Sequence, residues 1–68
     1  MFFESQIGQY NFRYDGNICD NIIEVSKIGD RNRTILREIP VKLLESEKDF
    51  HKEISFWWMT ESSSLQDW

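Results

Sequence analysis

The sequence predicts a mainly β domain: a small antiparallel meander, or a small barrel, of three to four strands. Three observations carry this. The chain has eight Ile and no Ala among its 68 residues, and β-branched side chains fit a pleated sheet while Ala is the best helix former. Large apolar residues alternate with polar ones at the period of a half-buried strand. Asp15-Gly16 and Gly29-Asp30-Arg31-Asn32 are turn signals that divide the apolar runs.

The first strand candidate is Ile7 to Tyr14, where Tyr10, Phe12 and Tyr14 alternate with Asn11 and Arg13. The second is Ile18 to Ile28. Ile23 and Val25 take one face, and Ile22 and Ile28 the other, beside Glu24 and Ser26. The third runs from Arg33 to Leu44, with Ile35, Arg37, Ile39, Val41 and Leu43 of one parity. Pro40 cannot donate a ladder hydrogen bond, so it marks an edge, a bulge or a break.

The stretch after Asp49 fits two periods. As a fourth strand, Ile54, Phe56 and Trp58 point one way, and Trp57 and Met59 the other. As a helix over about 47–59, Phe50, Ile54, Trp57 and Trp58 share a face, and Ser46 with Asp49 resembles a capping box. The helical version makes the domain α+β, a three-stranded sheet with a C-terminal helix. Residues 1–60 read as a single domain, and 61–68, with Ser62-Ser63-Ser64, as a loosely held tail.

A chain this short buries only about 60% of its unfolded surface. Cys19 stands alone, so no internal disulfide or multi-cysteine zinc site adds support. Self-association or a partner is the expected supplement. No run approaches the about 20 apolar residues of a membrane span. Met1-Phe2-Phe3-Glu4 lacks the layout of a signal peptide, so the expected compartment is the cytoplasm. Asn32-Arg33-Thr34 has the form of a glycosylation acceptor, which has no use there.

Chemistry is sparse. Cys19 and His51 are the only residues of their kinds and lie far apart, with no catalytic signature around either. Asp15, Asn17 and Asp20 cluster near a turn without the order of a calcium loop. The glycines at 8, 16 and 29 form no phosphate-cradling loop. The carboxylates around 45–53 read as a solvated face. The expected protein is therefore not an enzyme and holds no metal or cofactor.

Two binding readings remain. The formal charge is −4, yet Arg31, Arg33, Arg37 and Lys42 form a basic strip between two acidic arms. With Tyr10, Phe12 and Tyr14 as stacking platforms, that strip suits a nucleic acid. Internal pairing with Glu24 or Glu53 also accounts for it. The leading expectation is a protein-interaction module, a small regulator, inhibitor or accessory subunit. It would dock on another protein or a second copy through Phe56, Trp57, Trp58 and Met59, with Trp68 beside the chain end as an anchor. Fully burying one such ring contributes about 2–3 kcal/mol.

Overall fold

The structure is a computed structural model that describes residues 2–16 and 21–66, with backbone only at 62 and 64–66. Four strands form an antiparallel meander: β1 (Phe2–Ile7), β2 (Tyr10–Asp15), β3 (Ile22–Lys27) and β4 (Ile35–Pro40). One helix follows, α1 (Glu47–Gln66). The sheet order is β1-β2-β3-β4, so β1 and β4 are both edges and the sheet does not close into a barrel.

The segment read as one strand from Ile7 to Tyr14 is divided. Gly8 and Gln9 turn the chain, and Ile7 pairs with Tyr10. Gly8 has φ +60 and Gln9 has no positive φ, the pattern of a type II′ hairpin turn. This creates β1 from residues that carried little alternation. On its inward side only Phe3 and Ile7 are apolar, with Ser5 between them. β2 ends at Asp15 and β3 begins at Ile22; residues 17–20, with Ile18 of the second strand candidate and Cys19, lie outside the described residues.

The third candidate needs a correction of parity. Val25 pairs with Arg37 and Ser26 with Ile35, so Leu36 is an extra residue at a β-bulge. A one-residue insertion exchanges faces. Leu36 therefore packs against the core, while Ile35 stands 46% exposed. Beyond Pro40 the strand stops, and Leu43 points outward while Leu44 is buried.

The last segment takes the helical alternative over the fourth strand at 54–59. The Ser46 Oγ accepts a hydrogen bond from the Asp49 N–H at 3.2 Å, an N-cap contact. Glu47 and Asp49 in the first turn also favour the helix dipole. The side chains decide the rest. As a helix, Phe50, Ile54 and Trp57 all reach the sheet. A strand would have sent Trp57 away from Ile54 and Trp58. The helix continues to Gln66, through residues 61–66 of the expected tail.

The core lies between the helix and one face of the sheet. Phe12, Tyr14, Ile23, Val25, Leu44, Phe50, Ile54 and Trp57 are buried together. Phe50 lies 5.7 Å from Phe3, Trp57 meets Phe12 edge-on at 5.8 Å, and Trp58 tilts over Tyr10 at 5.9 Å. These contacts order the helix along β1, from Phe3 toward the Gly8 turn. A Cβ at Gly8 would meet the Trp58 ring at 3.2 Å, so the turn also needs glycine for that approach.

Tyr14 supplies a buried polar joint. Its hydroxyl donates to Asn21 Oδ1 at 3.2 Å and accepts from the Leu44 N–H at 3.2 Å. That fixes the connection entering the helix to the strand pair beneath it. Tyr14→Phe leaves the Leu44 N–H without its partner in the interior and is expected to lower stability by about 1–3 kcal/mol in urea denaturation. A variant as stable as the wild-type chain would show that this joint holds nothing.

Candidate functional site

The two sides of α1 divide the residues expected to dock. Trp57 is 7% exposed and belongs to the core, and Trp58 is half-buried against Tyr10 and Gly8. Phe56 and Met59 are 68% and 83% exposed. They stand three residues apart on a helix, so they are surface neighbours. The four-residue cluster is thus split: Trp57 and Trp58 hold the helix down, and Phe56 and Met59 face outward. Trp68 lies outside the described residues. No backbone strain accompanies this surface, and the Thr60 hydroxyl donates back to the Phe56 carbonyl at 3.0 Å.

The residues expected to bind nucleic acid are also separated. Phe12 and Tyr14 are fully buried and Tyr10 lies under Trp58, so these rings offer no stacking platform. Arg31 and Arg33 lie in the β3–β4 loop, and Arg37 sits on the β4 edge at the bulge. The aromatic side of the sheet carries the helix, so rings and guanidinium groups do not share an open surface.

The opposite sheet face is open and mixes polar side chains with the exposed Phe2 and Ile35. Strand alternation puts Glu4, Asn11, Arg13 and Glu24 there, with Arg13 paired between Glu4 on β1 and Glu24 on β3. Lys27 at the end of β3, with Asp30 and Arg33 of the β3–β4 loop, raises one wall around a depression of about 290 Å³. Asn11 Nδ2 donates to Glu4 Oε2 at 3.0 Å. The Arg13 guanidinium lies 5.2 Å from the Phe2 ring centre, a cation–π arrangement. Asn11 Oδ1 and Arg13 Nε are buried without a hydrogen-bond partner. Sequence reasoning passed over this face, although Asn11 and Arg13 were already placed opposite the aromatic stripe by alternation.

Asp30 organises the loop. Its Oδ1 accepts from the Asn32 N–H at 3.0 Å and its Oδ2 from the Thr34 N–H at 3.1 Å. Arg33, between them, adopts φ 51, an uncommon conformation for a side-chain-bearing residue. Its N–H donates to the Asp30 carbonyl at 3.2 Å. The hydrogen bond from Asn32, then that from Thr34, holds the Asp30 carboxyl below its usual 3.8.

Among the described residues, no three His, Cys, Asp or Glu side chains gather as a metal site would require. Among these residues no helix is long and apolar enough to cross a membrane. His51 meets Glu47 at 3.4 Å one turn away, an exposed pair of small energetic weight. No protein-family model matches the chain, and no curated protein or solved structure matches it either.

The lowered Asp30 carboxyl carries a sign that can be checked. A depressed folded value stabilises the loop above the unfolded value, and that contribution disappears as pH falls through the folded one. In an NMR titration, the Asn32 and Thr34 amide signals are expected to move together with a midpoint below 3.8. A midpoint at or above that value would contradict the hydrogen-bonded loop.

Proposed function

We propose that this chain is a non-enzymatic protein-interaction module that docks through the outer side of α1. Phe56 and Met59 form the contact centre, and the role fits a small regulator, inhibitor or accessory subunit. The observation that carries this is their exposure, 68% and 83%, at adjacent positions on a well-anchored helix. Neither side chain is needed inside, because Phe50, Ile54 and Trp57 already fill the space above the sheet.

The pair suits a docking role physically. Phe brings a rigid ring, and Met an adaptable thioether that conforms to irregular surfaces. Trp57 and Trp58 contribute from behind by fixing the helix against Phe12 and Tyr10. A surface held this way loses little conformational freedom when it binds, which lowers the cost of association. Lys52 lies one turn before Phe56 and is exposed, so a charged rim borders the apolar pair.

A photo-crosslinking residue at Met59, in the full chain and in its native host, is expected to trap a discrete protein adduct. The same group at Arg31, exposed in the β3–β4 loop, is expected not to trap it. Equal adducts at both positions, or none at Met59, would overturn the reading.

A further inference from the structure

The sheet has two edges, and they are built differently. β4 carries the bulge opposite Val25 and Ser26 and ends on Pro40. Both features discourage another strand from pairing. β1 pairs with β2 over six consecutive residues, Phe2 to Ile7, with no shift and no proline. A straight antiparallel edge strand presents a row of outward N–H and C=O groups. The helix covers the face of β1 and leaves this edge open among the described residues.

We infer that β1 is the seam of a two-fold homodimer, in which the β1 strands of two copies pair antiparallel and join the sheets. The register follows from the pleat. Residues directly opposite in an antiparallel pair share a face, so the axis must fall on a residue that meets its own copy. The two longest overlaps are centred on Glu4 and on Ser5. Centring on Glu4 sets two carboxylates face to face, which is unfavourable. Centring on Ser5 sets Glu4 opposite Gln6 twice on the open face, where the amide can donate to the carboxylate.

The same register completes the apolar face. Phe3 meets Ile7 of the second copy, twice, and both are only partly buried in the single chain. Aromatic and β-branched side chains are favourable cross-strand partners. Because α1 runs along β1, with Phe50 over Phe3 and Trp58 over Gly8, the two-fold sets the two helices antiparallel on one side of the joined sheet. The seam is a different surface from Phe56 and Met59 and does not rest on the docking reading.

Gln6 gives a test that leaves the core alone, since its side chain is exposed on the open face. Light scattering across a dilution series is expected to show a monomer–dimer equilibrium for the full chain. Gln6→Lys should tighten it, by placing an ammonium opposite Glu4 at both ends. Gln6→Glu should weaken it, with dissociation constants about tenfold apart between the two variants. In a Cys19→Ser background, Ser5→Cys should form a disulfide dimer under mild oxidation and Glu4→Cys should not. A monomer at every concentration overturns the seam. Equal or reversed effects of the two Gln6 variants, or crosslinking through Glu4→Cys instead of Ser5→Cys, overturns the register.

Discussion

The contact between α1 and the aromatic stripe of β2 holds this domain together. Tyr10, Phe12 and Tyr14 stand in a row on one sheet face, and Trp58, Trp57 and Phe50 come down on that region from the helix. A four-stranded sheet of this size has one face it must cover, and among the described residues α1 is the helix that does it. Each fully buried ring contributes about 2–3 kcal/mol, so these contacts are among the largest favourable terms in a chain with little interior. The hinge into the helix is fixed by the Tyr14 hydroxyl, which meets both Asn21 and Leu44. That bond ties down the approach to the helix, and the Ser46 cap then marks where α1 begins.

From this constraint the surfaces follow. Once Phe50, Ile54 and Trp57 point inward, the 3.6-residue period sends Phe56 and Met59 outward. Once the aromatic stripe points to the helix, Asn11 and Arg13 must face the opposite side, where β1 and β3 supply Glu4 and Glu24. Among the described residues the domain therefore has an apolar pair on the outer helix side, a mostly polar open sheet face and an open β1 edge. The two faces differ in chemistry, because one carries a Phe–Met pair and the other balanced charges around Arg13. A basic strip also exists, but Arg31 and Arg33 lie in the β3–β4 loop, Arg37 on β4 and Lys42 beyond it, and the rings that would have made it suit nucleic acid are covered by the helix.

Much of the fold was legible in the residues. The alternation at Tyr10, Phe12 and Tyr14 and the pair Ile23 and Val25 gave two central strands with their correct faces, and Pro40 marked the end of an edge. Three features were harder to read, each for a physical reason. The Gly8-Gln9 turn was hidden because Ile7 and Tyr10 flank it with apolar residues and its glycine stands without a second turn residue, although Ile7 does not share the parity of Tyr10, Phe12 and Tyr14. The bulge at Leu36 was invisible because a parity reading assumes no insertion, and it exchanged Ile35 for Leu36. The aromatic run fitted both periods, since Ile, Phe and Trp favour strands locally while Phe50, Ile54 and Trp57 recur at helical spacing. Tertiary cover resolved it in favour of the helix. For the docking surface, composition showed an excess of rings near the end, but only the helix phase separates Trp57 from Phe56.

The orientation of α1 is therefore the central claim, and paired alanine substitutions measured by urea denaturation test it most directly. Trp57→Ala should cost about 3–5 kcal/mol, enough to unfold much of so small a domain. Phe56→Ala, its neighbour in the chain, should stay within about 0.5 kcal/mol of the wild-type value. Equal losses, or a larger loss at Phe56, would mean that the helix presents the other side to the sheet.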